Sequence, residues 1–252
     1  MKAVILAAGI GSRIESLFPN IPKCLIKIGQ KTILEQNLAS IKSLGIKEED
    51  IILVVGGKGS VWTSENHEKI KNIHKNTIIN NENIEKNQAY SFWLAVKDLD
   101  ENVLCIDGDT LFDKRVLKTL LLKESPSCFI TKQGLPTETF RRVLVKNDRV
   151  FQIGKEVQSE RRYMPILKFG TDFLFALKRE IMSNPDFYFG NSIEIIINKI
   201  CSENPIYNLN LEQIDSKPDG LVINLNTPEE YSRAIENINA IRRDKSFVDV
   251  KA

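Results

Sequence analysis

Short, uninterrupted apolar runs alternate along the first half of the chain with segments whose apolar positions recur every three or four residues. Ala3–Ala7 (AVILA) is the first such run, and it opens into a glycine-containing loop. A run without polar alternation is the pattern of a strand covered on both faces. Thr32–Leu44 places Ile33, Leu34, Leu38, Ile41 and Leu44 on one stripe, which predicts a helix stopped by Gly45. Strands are predicted again at Ile51–Val55, closed by Gly56 and Gly57, at Thr77–Ile79, and at Val103–Ile106, which ends in Asp107-Gly108-Asp109. Between the last two, Tyr90–Leu99 reads as a helix presenting Phe92, Ala95, Val96 and Leu99. Strands separated by helices in this order imply parallel pairing through right-handed crossovers.

The second half has a different rhythm. Cys128–Thr131, Arg142–Val145, Val150–Ile153 and Phe169–Phe175 read as strands with short polar connections, Lys146–Arg149 forming a hairpin turn. Such runs predict antiparallel additions to the sheet. Helices return at Ser192–Cys201, with Ile193, Ile196, Ile197 and Ile200 facing inward, and at Pro228–Ile241, where Pro228 suits a first helical turn. The segments around Lys132–Phe140 and Glu156–Lys168 read as mobile insertions. No internal repeat, low-complexity tract or linker-like boundary interrupts the pattern, so residues 1–252 read as one mixed α/β domain.

Composition acts mainly by exclusion. The chain has 252 residues, 42% hydrophobic and 27% charged, enough to bury a sizeable core without staples. Its 35 Lys+Arg against 33 Asp+Glu leave a net charge of +2, too balanced for a sequence-independent grip on nucleic acid or an anionic membrane. No apolar stretch approaches the ~20 residues that span a bilayer, and Arg13 interrupts AVILAAGI too early for a signal-peptide core. Cys24, Cys105, Cys128 and Cys201 form no C-x-x-C pair, and all but Cys201 lie in apolar runs. Neither a disulfide framework nor a metal cluster is expected, and a reducing cytoplasm fits the pattern.

In open α/β sheets, ligands sit beyond the carboxyl ends of the strands. The first strand leads into Leu6-Ala7-Ala8-Gly9-Ile10-Gly11-Ser12-Arg13, followed by Pro22-Lys23. Small residues let successive backbone N–H groups close around a phosphate, while Arg13 and Lys23 supply compensating charge. The string is not a Walker loop, because G-x-x-x-x-G-K-[ST] is absent, and Gly56-Gly57-Lys58-Gly59-Ser60 lacks its spacing. Nor is it a dinucleotide fingerprint, since Ile14 stands where a third glycine would let helix and strand pack closely. Alone, G-x-G-S-R also reads as a tight turn.

The combination of L-A-A-G-x-G-S-R, P-K and a strand end carrying Asp107-Gly108-Asp109 resembles the nucleoside-triphosphate transferases that activate sugar 1-phosphates and related phosphate monoesters. The resemblance covers residues 1 to about 113. It returns more weakly at Lys155 and at Asn224-Leu225-Asn226-Thr227-Pro228-Glu229-Glu230, which is similar to a closing D-x-D-T-P-E-D segment in that family. It implies a single Rossmann-like, glycosyltransferase-A-like domain with a mixed, mostly parallel central sheet flanked by helices. Within the family, the loop from Asn80 to Phe92, rich in Asn with a Ser before the helix, is more similar to bacterial phosphocholine cytidylyltransferases than to sugar-1-phosphate enzymes, and points to CTP. Asn and Gln carry both donors and acceptors and can satisfy a pyrimidine edge, although the same residues also turn chains and cap helices.

The resemblance implies attack by a phosphate monoester on the α-phosphorus of the nucleotide with release of pyrophosphate. The implied nucleotide-binding residues are Leu6, Ala7, Ala8, Gly9, Gly11, Ser12, Arg13 and Lys23 around the phosphates, with Asn80, Asn87, Ser91 and Asp107 toward the nucleoside. The implied catalytic residues are Arg13 and Lys23 on the leaving group, Asp109 as a Mg²⁺ ligand, and Lys155 at the acceptor phosphate. A phosphate monoester, with a second pKa near ~6, is already mostly dianionic at neutral pH and needs no general base. That agrees with only two histidines, His67 and His74, both in a polar stretch that reads as solvated surface. Mg²⁺ is served by one or two carboxylates plus phosphate oxygens. Asn226, the second metal ligand, stands where the family usually offers Asp and brings no charge, so metal affinity without nucleotide is expected to be weak. The Asp107/Asp109 pair has another reading, as a cap for a helix starting near Asp113.

Acceptor identity is left open between two chemistries. A choline-like acceptor would need aromatic faces, with Tyr90, Trp93, Tyr163, Phe187, Tyr188 and Phe189 as candidates. The pairs Arg141-Arg142 and Arg161-Arg162 would favour a carboxylate-bearing acceptor, such as a phosphorylated amino acid or acidic sugar. The family often has an aromatic residue near Leu221, whose absence implies an altered acceptor pocket. Three functions remain. The leading one is a Mg²⁺-dependent cytidylyltransferase for surface-polysaccharide or headgroup synthesis, with CTP and a small phosphorylated acceptor as partners and no role for nucleic acid or membrane. The others are a sugar-1-phosphate nucleotidyltransferase using UTP, GTP or dTTP, and a nucleotide-binding regulator without turnover; a glycosyltransferase on the same fold ranks last.

Overall fold

Strand β1 (Lys2–Ala7) lies inside the sheet because Ala3, Val4 and Ile5 are apolar on both faces and fully buried. The computed structural model describes residues 1–134 and 140–243. After the glycine loop, β2 (Lys27–Ile28) and β3 (Lys31–Thr32) form a small hairpin that feeds α1 (Ile33–Lys42). Thr32 and Glu35 cap that helix reciprocally, and Gly45 follows it at φ +87°. Next come β4 (Ile51–Gly56), α2 (Ser64–Ile73), β5 (Thr77–Asn80), α3 (Gln88–Val96), β6 (Val103–Asp107) and β7 (Thr110–Phe112). Helix α4 (Lys114–Leu122) takes Asp113 as its N-cap. The second half contains β8 (Cys128–Gln133), β9 (Arg142–Lys146), β10 (Arg149–Gly154), β11 (Arg161–Phe169), α5 (Thr171–Ser183), α6 (Pro185–Phe189), α7 (Ile193–Ile200), β12 (Tyr207–Asn210), β13 (Val222–Asn224) and α8 (Pro228–Arg243).

The main sheet runs β5-β4-β1-β6-β11-β8-β12-β10-β9. β5, β4, β1 and β6 are mutually parallel, while β11 and the β9–β10 hairpin enter antiparallel. A mixed central sheet flanked by helices is the architecture expected from the sequence; it is parallel across β5-β4-β1-β6 and at β8–β12, and β9, β10 and β11 add as many antiparallel pairings, more than the mostly parallel sheet expected. The chain steps outward from β1 to β4 and β5, then crosses to β6 on the other side of β1, and such a reversal opens a crevice at the carboxyl ends. Alternate residues feed two cores. Val4, Val54, Val103 and Cys105 face one layer, and Ala3, Ile5, Leu53 and Ile106 the other. All four cysteines are free and buried, and burial pushes the Cys24 and Cys128 thiols up to about 12. No helix among the described residues is long and apolar enough to cross a membrane.

Three sequence expectations need correction. Phe169–Phe175 is not a strand: Phe169 ends β11, and α5 begins at Thr171. Phe173, Leu174, Ala176, Leu177 and Ile181 are buried at helical spacing, whereas Phe175 is 63% exposed, so the apolar period was three to four and not two. Glu156–Lys168 is not an insertion, because Arg161–Phe169 is a strand held between β6 and β8. Pro165 disguised it, and the pairing with β8 skips from Met164 to Leu167, so the missing N–H falls at a bulge. Of the other insertion, Lys132 and Gln133 belong to β8, and residues 135–139 lie outside the described residues. Third, His74 is not solvated surface. It is buried after α2, with Nδ1 2.5 Å from Glu48 Oε1 and Nε2 3.0 Å from the Ile51 carbonyl.

The backbones approach closely where β1 and β6 end. Gly108 N–H donates to the Leu6 carbonyl at 2.7 Å, and a Cβ on Gly108 would lie 2.5 Å from Ala7 Cβ and 3.1 Å from Leu6 O. Gly108→Ala is therefore expected to destabilise the protein by about 2 kcal/mol, as overpacking against backbone does. Urea unfolding of the two proteins measures it, and an unchanged midpoint would show that the strand ends are looser than described.

Candidate active site

Residues from widely separated segments of the chain line one cleft of about 1250 Å³ over the carboxyl ends of β1 and β6. Leu6, Ala7, Ala8, Gly9, Gly11 and Arg13 form one wall. Gly11 turns the loop at φ +71°, and its missing Cβ leaves room for the Lys23 stem, whose Cγ would be 3.1 Å away. Lys23 itself is fixed by its neighbours, since Cys24 and Leu25 are buried in the turn that follows Pro22.

The tail returns to this wall through a second small sheet. β13 pairs antiparallel with β7, Asn224 opposite Thr110, and the Leu225 N–H donates to the Asp109 carbonyl at 2.9 Å. Asn226 is thereby carried to the cleft. Its Oδ1 accepts from Lys23 Nζ at 2.7 Å and from Arg13 Nη2 at 2.9 Å, and Lys23 Nζ also donates to Asp109 Oδ2 at 2.7 Å. The Glu230 carboxylate accepts from the N–H groups of Asn226 and Thr227, and Thr227 Oγ1 accepts from the Glu230 N–H, a reciprocal cap that starts α8 and holds Asn226 in place. Asn224, by contrast, is structural: its Oδ1 accepts from the Thr110 hydroxyl at 2.6 Å.

The central loop divides into cleft residues and scaffold. Asn87 caps α3 and lines the cleft, as do Gln88 and Ser91. Asn80 does not line it: the side chain is fully buried, with Nδ2 donating to Ser91 Oγ and Oδ1 accepting from the Glu82 N–H. Ser12 is exposed and also absent from the cleft wall. Two residues that sequence reasoning passed over belong here. Gln88 Nε2 donates to Asp107 Oδ1 at 2.7 Å, and Asn83 ties the loops together by accepting from Gly57 and Lys58 N–H and donating to the Ala8 carbonyl. Both sit in the Asn-rich string, but an amide's partner cannot be read from its own position.

Across the cleft stand Phe140, Arg141, Lys155, Arg162 and Tyr163. Lys155 is exposed there, at the end of the β9–β10 hairpin. Of the aromatic residues proposed to face a choline-like acceptor, only Tyr163 lines the cleft. Tyr90, Trp93 and Phe189 pack together, and the Lys86 ammonium lies 4.3 Å from the Tyr90 ring centroid. Phe140 lines the cleft, but the Arg162 guanidinium sits 4.6 Å from its centroid and Arg142 5.5 Å. Leu221 is core and shapes no part of the cleft wall. Beneath Arg141, the buried Glu194 forms an ion pair with it at 3.3 Å, and among the described residues neither the Glu194 carboxylate nor the buried Tyr163 hydroxyl has a hydrogen-bond partner.

Asp109 and Asn226 present the oxygens that could take a divalent cation. Among the described residues no group of three or more His, Cys, Asp or Glu side chains is gathered to cage one. One carboxylate and one amide oxygen suit an ion that arrives with phosphate oxygens and water, as Mg²⁺ does. Asp107 has a different environment. Burial first, then Asp109 and Glu194, holds its carboxyl well above the ordinary carboxylate range, against the Gln88 amide and Arg141.

The profile of the MobA-like NTP transferase domain matches residues 3–167. The choline-phosphate cytidylyltransferase of Streptococcus pneumoniae is 31% identical over 126 residues, a stretch covering 50% of this chain and only 52% of that protein. The CTP:phosphoglutamine cytidylyltransferase of Campylobacter jejuni is 26% identical over 194 residues, covering 69% of this chain and 75% of that protein. The solved structure of the S. pneumoniae CTP:phosphocholine cytidylyltransferase superimposes with a TM-score of 0.76 at 19% identity, over 94% of this chain and 98% of that one. Its fold, the glycosyltransferase-A-like fold, is the fold of this chain.

The Asp107 environment has a consequence for stability. In the unfolded chain this carboxyl ionises near ~3.9; in the folded protein it keeps its proton to higher pH. The folded state therefore binds more protons, and this group costs stability increasingly as pH rises above ~4. Asp107→Asn is expected to raise the melting temperature of the nucleotide-free protein at pH 7.5 and to lessen its gain on acidification to pH 5. A variant that melts lower at pH 7.5 than the parent would contradict this.

Proposed function

The chain belongs to the MobA-like NTP transferase family, and from that premise we propose that it transfers CMP from CTP to a small phosphate monoester with release of pyrophosphate. The observation that carries this reading is the convergence of Arg13, Lys23, Asp109 and Asn226 at the carboxyl ends of β1 and β6. An oxygen of the acceptor phosphate forms a bond to the α-phosphorus, and the bond from that phosphorus to the bridging oxygen of the β-phosphate breaks. Pyrophosphate leaves with the electron pair, and Arg13 and Lys23 are placed to hold its charge. Fixed cations aimed at developing charge are the usual source of rate in such a site. Mg²⁺, held by Asp109 and Asn226 with nucleotide oxygens and water, would add positive charge at the α-phosphate. Nothing has to remove a proton from a dianionic phosphate, and His74 is committed to Glu48 and Ile51 in the scaffold.

The hydrogen-bond polarity of the inner loop supports CTP. Ser91 Oγ accepts from Asn80, which leaves the hydroxyl proton free to donate into the cleft. Cytosine offers an acceptor at N3 where uracil offers N–H, so a donor there favours cytosine. The names of the two relatives point the same way. On this reading Asp107 and Gln88 are assigned to the ribose and Lys155 to the acceptor phosphate, and all three line the cleft. Among the described residues the aromatic lining is Tyr163 and a Phe140 already faced by guanidinium groups, which is a poor cage for a quaternary ammonium. An acceptor whose far end donates hydrogen bonds suits the unpartnered Tyr163 hydroxyl and the Arg141–Glu194 pair better.

A matrix of CTP, UTP, GTP, ATP and dTTP against phosphomonoesters, read by pyrophosphate release, tests this. CTP is expected to lead, with phosphoethanolamine preferred to phosphocholine. Arg13→Ala is expected to lower kcat/KM by about a hundredfold, the scale on which single charge-stabilising groups act. No pyrophosphate with any pairing would overturn the reading, and a preference for phosphocholine would overturn its acceptor part.

A further inference from the structure

A cation of the chain itself stands at the place proposed for magnesium. Lys23 Nζ lies 2.7 Å from Asp109 Oδ2 and 2.7 Å from Asn226 Oδ1. We propose that Lys23 is an internal stand-in for the divalent ion: in the free protein its ammonium closes the Asp109–Asn226 pair against metal alone, and it yields that pair to metal arriving with a nucleotide. This role presupposes the nucleotide site proposed above and adds an order of events to it.

Three features of this chain make the exchange one-sided. Asn226 is neutral, so the pair brings a single negative charge, which Lys23 cancels, and Arg13 adds a second cation 2.9 Å from the same amide oxygen. Free Mg²⁺ approaching there meets positive charge and no net attraction. The Lys23 and Asp109 side chains are only 15% and 17% exposed, so salt and solvent screen the pair weakly. A triphosphate tail reverses the balance, since it supplies several anionic oxygens as new partners for both cations. The lysine stem is placed for that transfer: it runs along Gly11, in the turn proposed to wrap the phosphates, and no Cβ stands in its way. A lysine ammonium is a point charge on a flexible stem, able to change partners without losing its hydrogen bonds.

The test is Mn²⁺ titration of the nucleotide-free protein, read by loss of the free-ion paramagnetic resonance signal. The parent protein is expected to show no saturable site. Lys23→Met, which keeps the apolar stem and removes the charge, is expected to gain one, with affinity at least about tenfold above the parent. Adding Asp109→Asn to that variant is expected to remove the gain. Should Lys23→Met not fold, Lys23→Gln carries the same expectation, and the parent can be examined directly through the ¹⁵N resonance of Lys23 Nζ. That signal should stay in place on adding Mg²⁺ alone and move when CTP joins it. Saturable Mn²⁺ binding by the nucleotide-free parent, Lys23 variants no tighter than the parent, or an Nζ signal displaced by Mg²⁺ alone would each overturn the proposal. None of these readouts needs turnover, so a metal site gained by the Lys23 variant, with no pyrophosphate released by the parent protein, would leave the role of Lys23 standing while removing the enzymatic reading.

Discussion

The close approach of β1 and β6 at their carboxyl ends governs everything built above them. Parallel pairing sets Leu6 opposite Asp107, and the Gly108 N–H then reaches back to the Leu6 carbonyl. Only a residue without a side chain lets the backbones meet so closely. The result puts the glycine loop after one strand within a side chain's length of the aspartates after the other. The glycine loop with its cations and the aspartate pair thus share one floor, although 86 residues separate Lys23 from Asp109.

A second constraint closes the site from the far end of the sequence. The β7–β13 pairing fixes the register of the tail, the buried Leu225 anchors it, and the Thr227–Glu230 cap decides where α8 begins. Asn226 sits between these anchors with its amide oxygen facing two cations. A carboxylate at that point would add charge for a metal; the amide instead serves as a neutral joint between Arg13 and Lys23. The cleft is consequently held together by hydrogen bonds among its own polar side chains.

The opposite wall has the character of a polar, cation-rich surface over a buried acid. Arg141 is paired with Glu194, Arg162 lies over Phe140 and within 3.6 Å of Glu230, and Lys155 stands exposed. Burying Glu194 with one ion-pair partner is costly unless that partner stays, so Arg141 is held to this wall by the energetics of the acid beneath it. The wall's recognition chemistry therefore rests on hydrogen bonds and charge more than on aromatic faces.

What the sequence determined by itself was local and periodic. Apolar runs and a glycine pair marked β1, β4 and β6, the stripe of Ile33, Leu34, Leu38 and Ile41 marked α1, and the small-residue string with Arg13 and Lys23 marked the turn that walls the cleft, because each depends on neighbours within a few residues. The same reasoning failed where the determining partner is distant. Pro165 hid a central strand that only the bulge against β8 accommodates, the α5 segment passed for a strand, and His74 looked solvated until Glu48 and Ile51 closed over it. In the cleft, tertiary structure alone decided which amides line the wall, placing Asn87 on it, turning Asn80 inward to Ser91, and enlisting Gln88 and Asn83. An amide side chain has the same donors and acceptors wherever it stands, so its role is fixed by what the fold brings within about 3 Å of it, a quantity no single stretch of sequence contains.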